Sequence, residues 1–408
     1  MESNFRTEFF RANRERLKTL FAGTAPIVLT ANGLLQRNND TTYPFRQDSN
    51  FWYLTGINEP DIILVLDKGK EYLIVPGRSE TRAAFDGAVT MDELSKRSAI
   101  TQVLSEKEGW QLLKTRLKKV QHVATLAAPK SHIESLGIYT NPARRRLVAE
   151  LKRHNAQLEL LDLRPHLTKM RSIKQRPELA AIQQAIDLSV KAFSKVSRDH
   201  FSKYSYEYEV EAALTNEFRK HNANHAYQPI VASGQHACTL HYITNDGALE
   251  ATGMLLIDAG AEIENYAADI TRSYCLKKPS ARQQAVYDAV LSVQHQAISL
   301  LKPGALLIDY EQAIEQFMGE KLRELGLIKT IDRSNVRHYY PHATSHFLGL
   351  DVHDVGDYQK PLEPGMVLTV EPGIYIPEEG LGIRIEDNIL ITDKSNKILS
   401  DKLPRQSF

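Results

Sequence analysis

One arrangement occurs twice in the C-terminal part of the chain and narrows the choice of folds more than any other pattern. Helical stretches are followed by MLLIDAG and YAADITRSY in the first copy, and by MVLTVEPGIYI and GIRIEDNILIT in the second. Both pairs of segments carry acidic residues in equivalent places. The period is long and the identity between the copies is weak, so the pattern indicates a duplicated half-domain rather than a solenoid. We expect helices to cover one face of a curved antiparallel sheet.

Apolar residues at helical spacing mark two long helices in this part of the chain. The first helix begins after Pro177, and its apolar face comprises Leu179, Ile182, Ile186, Val190 and Phe193. The second helix begins with a capping box formed by Ser280 and Gln283. Its apolar stripe comprises Val286, Val290, Val293, Ala297 and Leu300. These two helices provide the cover that the sheet requires.

The first 170 residues have a different pattern. Runs of β-branched residues that predict strands lie at 26–32, 61–67 and 71–76. Helical stretches near 103–118 and 142–153 alternate with further strand-like runs, which predicts a small α/β domain with a mixed sheet, preceded by an amphipathic helix. The whole chain is therefore predicted to be α+β, with an N-terminal domain at 1–170 and a second domain at 171–408.

Composition excludes several classes of protein. The 408 residues contain 51 Lys plus Arg and 50 Asp plus Glu, so the net charge of +1 creates no field that attracts nucleic acid or an anionic membrane. The two cysteines, Cys238 and Cys275, are too few for a disulfide framework. No apolar run approaches the length of a membrane span, and the N-terminus lacks a secretory signal pattern. We expect a soluble cytoplasmic protein that binds neither nucleic acid nor membrane.

Two acidic residues, Asp258 and Asp269, lie close together in LIDAGAEIENYAADITR. If the chain reverses between Ile263 and Glu264, these residues stand opposite each other in an antiparallel pair, with their side chains on one face. Carboxylates at that distance repel each other unless a positive charge lies between them. The alternative is that one Asp caps a strand end while the other faces solvent.

Histidines and further acidic residues are grouped nearer the C-terminus. The segment HATSHFLGLDVHD contains His342, His346 and His353. A single histidine among apolar neighbours is usually a hydrogen-bonded core residue. Three histidines within twelve residues are not explained well in this way. Glu371 interrupts a buried strand, where a carboxylate is costly unless it is paired or bound to metal. Arg384 and Glu386 alternate onto one strand face, and a surface ion pair would explain them equally well.

Four carboxylates and one imidazole within one domain indicate a metal site. These candidate ligands are Asp258, Asp269, His346, Glu371 and Glu386. A ligand set that is rich in oxygen and lacks thiolate suits Mn²⁺, Co²⁺ or Zn²⁺. Four carboxylates balance the charge of two divalent ions, whereas one ion would leave an excess of negative charge. Two metal ions that bridge a water lower its pKa and polarise a carbonyl, which equips a site for amide hydrolysis.

The motifs that carry these residues resemble, in order and spacing, those of the pita-bread metallopeptidases, and most closely the aminopeptidase P group of family M24B. The segment TTYPFRQDSNFWYLTGINEPDIILVL resembles the N-terminal domain of that group, so the likeness spans nearly the whole chain. The resemblance implies a C-terminal pita-bread fold and a dinuclear site in which Asp269 and Glu386 bridge the ions. It implies two divalent metal ions, Mn²⁺ in the first place, with Co²⁺ or Zn²⁺ as alternatives.

The reaction implied by the resemblance is removal of an N-terminal residue that precedes proline, by a hydroxide that bridges the metals. The implied substrates are peptides with a penultimate proline. In the substrate pocket the resemblance places His241, His342, His353 and Tyr375. His241 and His353 would hold the scissile carbonyl and the residue on the proline side, and Glu371 would transfer a proton to the departing nitrogen. Arg384 would brace the metal-binding carboxylates.

The resemblance also bears on the N-terminal domain, which it implies shapes the substrate cleft and contributes to a homo-oligomer, a dimer or a tetramer. Asp40 would reach a substrate amine across a subunit boundary, although an Asp in a turn needs no such role. In TRAAFDGAV, Ala84 or Phe85 stands where relatives often carry a tryptophan that closes the pocket. The link PEEGL between the last two strand segments is shorter than in many relatives.

Other functions have features that separate them from this one. A prolidase uses the same five ligands but cleaves only dipeptides, so it is the main alternative. A methionine aminopeptidase lacks the leading domain, and a creatinase-type hydrolase has the fold without the metal ligands. A binding module of this fold, such as a histone chaperone domain, is expected to have lost at least one ligand and to carry long charged tails.

Overall fold

The chain divides into two compact units, Met1–Met170 and Arg171–Phe408, in a computed structural model that describes residues 3–126, 133, 135–249 and 253–405. The strands of the N-terminal unit are β1 (Ile27–Thr30), β2 (Gln36–Asn38), β3 (Thr41–Thr42), β4 (Ile63–Asp67), β5 (Lys70–Val75), β6 (Gln102–Ser105), β7 (His122–Thr125) and β8 (Glu159–Asp162). Six of them form a sheet in the order β6-β5-β4-β1-β7-β8, in which β4 runs antiparallel to both neighbours and the other pairs are parallel. This arrangement confirms the predicted mixed sheet.

Helices of the N-terminal unit pack against this sheet and against one another. They are α1 (Thr7–Leu20), α2 (Ser49–Thr55), α3 (Glu80–Asp86), α4 (Met91–Ser98), α5 (Glu106–Leu117), α6 (Ala143–His154) and α7 (Arg164–Ser172), which continues past the unit boundary. α1 buries Phe9 and Leu17, as its amphipathic pattern predicts. The helix expected near 103–118 begins only at Glu106, because the side chain of Ser105 caps it and the preceding residues form β6.

The C-terminal unit contains two long hairpins, each of which bends where both of its strands break. Its strands are β9 (Asn224–His225), β10 (Ile230–Ser233), β11 (Met254–Asp258), β12 (Ala261–Ile263), β13 (Tyr266–Ala267), β14 (Thr271–Cys275), β15 (Val367–Val370), β16 (Gly373–Ile376), β17 (Leu381–Arg384), β18 (Asp387–Ile391) and β19 (Asn396–Ile398). In the first hairpin β11 pairs with β14 and β12 with β13. In the second hairpin β15 pairs with β18 and β16 with β17. The duplication predicted from the sequence is thus a duplication of bent hairpins.

The first hairpin reverses one residue later than expected. Its turn residues are Glu264 and Asn265, which both have positive φ angles, of 50° and 67°. Such a pair of angles is typical of the type I′ turn, which suits the twist of two antiparallel strands. The register therefore pairs Asp258 with Thr271, and the expectation that Asp258 stands directly opposite Asp269 is wrong. Asp269 lies two residues before Thr271, so both aspartates still share one face of the hairpin.

The second hairpin keeps a single register through its bend. Val370 pairs with Asp387 on one side of the bend, and Gly373 pairs with Arg384 on the other. The same register places Glu371 opposite Glu386 within the bend. The short PEEGL link forms a 3₁₀ turn at Pro377–Glu379, closed by Gly380, whose φ angle of 57° favours glycine.

Helices of the C-terminal unit cover the hairpins. They are α8 (Arg176–Val196), α9 (Glu207–Lys220), α10 (Ala281–Leu300), α11 (Leu307–Glu324) and α12 (Arg333–Tyr339). α10 has the predicted capping box of Ser280 and Gln283, and its predicted stripe is buried from Val286 to Ala297. The structure confirms an α+β fold with helices over antiparallel strands. Among the described residues no helix combines the length and apolar character needed to cross a membrane.

Candidate metal centre

Each of the four predicted carboxylate ligands lies where a strand of a bent hairpin ends. Asp258 is the last residue of β11, Asp269 lies between β13 and β14, Glu371 lies between β15 and β16, and Glu386 lies between β17 and β18. The two bends are joined by a hydrogen bond of 3.0 Å from the Glu386 amide to the Thr271 carbonyl. The duplicated hairpins therefore bring the four carboxylates to one place.

These carboxylates open into a cavity of about 610 Å³ that also holds the predicted imidazole ligand. The cavity lining includes the following site residues that were predicted from the sequence: Asp258, Asp269, Glu371, Glu386, His346, His241, His342, His353 and Arg384. Apolar side chains of Ile230, Leu240, Ile243 and Val352 complete much of the wall. A cavity lined by both carboxylates and apolar side chains is suited to a ligand that carries both a polar group and an apolar side chain.

Two carboxylates share one hydroxyl group. The hydroxyl oxygen of Tyr227 lies 2.5 Å from Asp258 Oδ1 and 2.6 Å from Asp269 Oδ1, although it has a single hydrogen to donate. Burial raises the pKa of Asp258, and Asp269 raises it further against the opposing effect of Arg384. Burial and the neighbouring carboxylates likewise raise the pKa of Glu386 well above its ordinary value. The site therefore favours binding of additional positive charge.

His346 presents one ring nitrogen to the carboxylates. Its Nδ1 donates to the Phe347 carbonyl at 3.0 Å, which directs Nε2 towards Asp269 Oδ2 at 3.4 Å and Glu371 Oε1 at 3.2 Å. Burial lowers the pKa of His346, but the two carboxylates outweigh it and raise the pKa well above the ordinary value. Nε2 and the carboxylate oxygens thus need a proton or a metal ion between them.

The ligand atoms of three of these residues lie close enough together to bind a common ion. Donor atoms of Asp269, His346 and Glu386 all lie within 4.8 Å of one another. Oxygen donors with one imidazole suit hard or borderline divalent cations. The residues therefore fit the metal ions that the sequence predicts.

Arg384 connects the metal-site carboxylates to the pocket. Its guanidinium donates to Asp258 Oδ2 at 2.6 Å, to Thr271 Oγ1 at 3.1 Å and to the Tyr375 hydroxyl at 2.8 Å. Thr271 in turn donates to Glu386 Oε2 at 2.7 Å. One planar side chain thereby orients carboxylates from both hairpins, and the alternative of a surface ion pair is wrong because Arg384 is only 4% exposed.

His342 and Tyr375 form a pair beside Arg384. His342 Nε2 lies 2.9 Å from the Tyr375 hydroxyl, and its Nδ1 lies 2.9 Å from the Ala343 carbonyl. Burial lowers the pKa of His342 to about 4, so its ring is neutral near neutral pH. Tyr375 is not itself part of the cavity lining, and it reaches the site through His342 and Arg384.

The other two histidines face the same cavity from loops. The ring of His353 lies 4.4 Å from that of His346 and nearly perpendicular to it. Burial, followed by the charge of His346, lowers the pKa of His353. His241 lies in the loop after a 3₁₀ turn at Gly234–Cys238, and its side chain is exposed towards the cavity that it lines.

The residues predicted in the N-terminal domain lie in the other unit. Asp40 is an exposed residue between the short strands β2 and β3. Ala84 and Phe85 belong to α3, and the Phe85 side chain is 85% exposed. Their assigned roles stay predictions.

Two residues that hold the candidate ligands were not predicted from the sequence. Tyr227 contacts both aspartates, and Thr271 links Arg384 to Glu386. Thr271 lies two residues after Asp269 on a strand, so the alternation of side chains could have pointed to it. Tyr227 lies far upstream of Asp258 and has no local pattern that could have indicated its position.

Comparison with known proteins assigns the family. Residues 180–393 match the model of metallopeptidase family M24, and residues 10–124 match the aminopeptidase P N-terminal domain. The chain belongs to the aminopeptidase P group of the M24 metallopeptidases. The Xaa-Pro aminopeptidase of Haemophilus influenzae is 36% identical over 98% of this chain and 95% of its own. That of Escherichia coli is 32% identical over 97% of this chain and 94% of its own.

Solved structures of the family agree with this assignment. Aminopeptidase P from Escherichia coli superimposes on this metallopeptidase with a TM-score of 0.87 and 31% identity, covering 99% of this chain and 97% of its own. Aminopeptidase P II from Yersinia pestis gives a TM-score of 0.85 with 31% identity, covering 99% and 98% of the two chains. One Escherichia coli structure is described as zinc-substituted and in complex with product, with a TM-score of 0.86. The C-terminal unit therefore has the predicted pita-bread fold.

Proposed function

We propose that this protein hydrolyses the peptide bond between an N-terminal residue and a penultimate proline, with the help of two divalent metal ions. The observation that carries the proposal is the convergence of all five candidate ligands, together with three further histidines, on one cavity. The named relatives, which match nearly the whole chain, are Xaa-Pro aminopeptidases.

The proposed metal ligands are Asp258, Asp269, His346, Glu371 and Glu386. Four carboxylates match the charge of two divalent ions, and we propose Mn²⁺ as the native metal, with Co²⁺ or Zn²⁺ as alternatives. When bound, such ions supply Lewis acidity and lower the pKa of a coordinated water. Asp269 and Glu386, which come from different hairpins, would both help to hold the ions, since their donor atoms lie within 4.8 Å of each other and of His346.

The protein groups around the ligands would complete the reaction. Glu371 is the proposed group that carries a proton to the departing proline nitrogen, because its carboxylate lines the cavity beside His346. His353, neutral because its pKa is lowered, can donate its N–H to the scissile carbonyl. His241 is proposed to do the same from the facing loop. Arg384 favours the ionised form of Asp258 and orients its carboxylate.

Proline differs from other residues in ways that such a pocket can use. Its amide nitrogen carries no hydrogen and its ring fixes φ, so general aminopeptidases exclude it. His342 lines the cavity and is the proposed contact for the ring and the residue on the proline side. Tyr375 is proposed to serve substrate binding through its hydrogen bond to His342. We propose that the N-terminal domain shapes this cleft.

Assembly and location belong to the same proposal. The protein is proposed to form a dimer or tetramer in the cytoplasm, in which Asp40 binds the substrate amine of a neighbouring subunit. Subunit mass measured in solution tests the assembly. An Asp40→Asn variant with an unchanged KM for Xaa-Pro-Xaa peptides would contradict the role of Asp40.

The substrate assignment is tested with matched peptides and metal analysis. Purified protein is loaded with Mn²⁺, its metal content is measured, and Xaa-Pro-Xaa, Xaa-Pro and Xaa-Ala-Xaa peptides are compared. We expect cleavage of the Xaa-Pro-Xaa peptide and about two equivalents of bound metal. Cleavage restricted to the Xaa-Pro dipeptide would identify a prolidase instead.

Substitution of the ligands tests the metal requirement. Asp258→Ala and Glu371→Ala should each lower kcat/KM for Xaa-Pro-Xaa peptides by roughly 10³-fold or more, since each removes a metal ligand. Circular dichroism should show that the fold is retained. Full activity of the wild-type protein after chelation, with no metal found by elemental analysis, would contradict the mechanism.

A further inference from the structure

Glu207 is a buried carboxylate outside the metal site, at the first residue of α9. Its side chain is 0% exposed. Its Oε1 accepts hydrogen bonds from the amide and the hydroxyl of Ser233, at 2.7 and 2.6 Å, and its Oε2 accepts one from the Gly247 amide at 2.7 Å. His236 Nδ1 lies 3.0 Å from Oε1. Burial raises the pKa of Glu207, but these donors outweigh burial and lower it below the ordinary value.

All of these donors belong to one stretch of chain, residues 233–247, which we call the 233–247 loop. The amide of Glu207 also donates to the Gly247 carbonyl at 2.9 Å, so the carboxylate and its own backbone close the loop. The Tyr242 hydroxyl lies 2.9 Å from Glu207 Oε2, and its ring stacks on His236 with 4.3 Å between the ring centres. The loop therefore wraps around a single charged group.

Gly247 shows how tightly the loop is packed around Glu207. A Cβ atom at this position would lie 2.7 Å from the His236 ring and 2.8 Å from Glu207 Oε2. With a side chain at this position the His236 ring and the Glu207 carboxylate would have to move, so the glycine permits the close approach of the backbone to the carboxylate. Contacts with Glu207 thus fix the loop at its start through Ser233, in its middle through His236 and Tyr242, and at its end through Gly247.

The other side of the same loop forms part of the cavity wall. Leu240, His241 and Ile243 line the cavity, whereas His236 and Tyr242 contact Glu207. Loop residues that face substrate need rigid support, because a displacement of about 1 Å at a binding group can cost roughly 100-fold in rate. Glu207 is the one group that contacts both the start and the end of this loop among the described hydrogen bonds.

We infer that Glu207 is a positioning residue, which holds the 233–247 loop so that His241 meets the substrate. The inference rests on the proposed function, because the contact between His241 and substrate is part of that proposal. None of the hydrogen bonds described for Glu207 goes to a candidate metal ligand or to a residue of the cavity lining. Its effect should therefore pass through His241 and its neighbours rather than through metal binding.

The isosteric variant Glu207→Gln removes the charge and one hydrogen-bond acceptor of Glu207 while it keeps the size of the side chain. Each carboxylate oxygen accepts a backbone N–H, one from Ser233 and the other from Gly247. The amide nitrogen of glutamine would face one of these donors in either orientation and leave it unsatisfied. The matched control is Asp246→Asn, because Asp246 lies in the same loop and contacts the same Tyr242 hydroxyl at 2.8 Å, but is exposed.

A double-mutant cycle tests whether Glu207 acts through His241. Wild type, Glu207→Gln, His241→Ala and the double variant are compared for cleavage of an Xaa-Pro-Xaa peptide. We expect Glu207→Gln to lower kcat/KM roughly 10-fold, mainly by lowering kcat, with unchanged metal content. In the His241→Ala background the same change should have little further effect, whereas Asp246→Asn should resemble wild type. Additive losses, or a loss of bound metal, would overturn the inference.

Hydrogen exchange gives a readout that does not depend on activity. In metal-free protein the Ser233 and Gly247 amides should exchange faster in Glu207→Gln than in wild type, while the amides of α10 stay unchanged. If Glu207→Gln does not fold, Tyr242→Phe replaces it, and we expect a smaller fall in kcat that disappears in the His241→Ala background. Equal exchange in both proteins would contradict the positioning role. A wild-type protein without Xaa-Pro-Xaa cleavage would instead contradict the proposed function.

Discussion

At the residue scale, the cavity depends on side chains that each hold several others. Arg384 contacts Asp258, Thr271 and Tyr375, so it links the proposed metal ligands with the pocket histidine His342. Only a guanidinium has donors spread widely enough to reach all three partners at once. A buried arginine of this kind contributes to function chiefly through the orientation of its acceptors.

Arg384→Lys should therefore reduce activity although it keeps the positive charge. An ammonium cannot make the three contacts together, so Asp258 loses its fixed orientation and metal affinity should fall roughly 10- to 100-fold. Titration of metal-free protein with Mn²⁺, followed by calorimetry, measures the change. Arg282→Lys is the control, because Arg282 pairs with Glu379 at a partly exposed position. Equal Mn²⁺ affinity of Arg384→Lys and wild type would refute the bracing role.

At the element scale, the bends in the two hairpins make the site. A regular strand would send alternate side chains to opposite faces, whereas the breaks at Asp269 and Glu386 let the strands change direction with the carboxylates inside. The first bend depends on Gly260, because a Cβ at this position would lie only 1.7 Å from the Ala268 carbonyl oxygen. The backbone segments pass too close there for any other residue.

Gly260→Ala should consequently destabilise the C-terminal unit by about 2–4 kcal/mol, since the clash is with backbone and cannot be relieved by a rotamer change. Thermal unfolding and Mn²⁺ binding are measured together, and both should be impaired. Gly77→Ala is the matched control, because no atom lies within 4 Å of the added Cβ there. Similar melting temperatures for the two variants would show that the bend tolerates a side chain.

The pairing of α8 with α9 predicts a dependence of stability on pH. Glu217 on α9 lies 2.9 Å from Lys191 Nζ and 2.6 Å from Lys195 Nζ on α8. Hydrogen bonds from these lysines outweigh burial and lower the pKa of Glu217 to about 2. Because this pKa is lowered, the charged carboxylate stabilises the folded state at pH values above about 4.5. This stabilisation is lost as the pH falls from about 4.5 towards 2.

Glu217→Gln should therefore be less stable than wild type near neutral pH by on the order of 1–2 kcal/mol, because the lysines are partly exposed and screened. Urea unfolding at several pH values should show this difference shrinking below pH 4.5. Glu324→Gln removes a more exposed partner of Lys321 and serves as the control. A difference that stays constant down to pH 2 would show that the lost stability is not due to the carboxylate charge.

At the scale of the whole molecule, the net charge of the sequence gives no sign of a local excess of negative charge. The chain as a whole carries a net charge of +1, yet four carboxylates meet at one cavity. Their mutual repulsion opposes folding unless cations compensate it, as the raised pKa values of Asp258 and Glu386 indicate. Metal binding should consequently be coupled to the stability of the C-terminal unit.

Addition of Mn²⁺ to metal-free protein should raise the melting temperature. A free-ion concentration of about 100 times Kd stabilises the folded state by about 2.7 kcal/mol, which corresponds to about 5 °C or more for a unit of this size. Scanning calorimetry of the wild type, Asp258→Ala and Asp246→Asn measures the effect. The shift should vanish in the first variant and persist in the second. An equal shift in all three would place the stabilising ion elsewhere.

Much of the fold was predictable because its signals are local. Helical spacing after Pro177 and the capping box at Ser280 depend on residues within a few positions, and both are found in the structure. The mixed sheet and the duplicated strand pairs follow from short β-branched runs in the same way. The turn at Glu264 and Asn265 was misplaced by one residue, because several positions in that segment tolerate a reversal and only cross-strand pairing selects one.

Residue types along the chain were thus enough to predict an α+β metallopeptidase with carboxylate and histidine ligands, because each motif consists of residues that are close together in the sequence. Only the tertiary structure decided which groups hold those ligands. Tyr227 is hydrogen-bonded to two aspartates, and Thr271 is hydrogen-bonded to Glu386, 115 positions away. Glu207 is hydrogen-bonded to a loop that begins 26 positions later. Such contacts depend on where the two hairpins bend and how the helices cover them, so no local pattern specifies them.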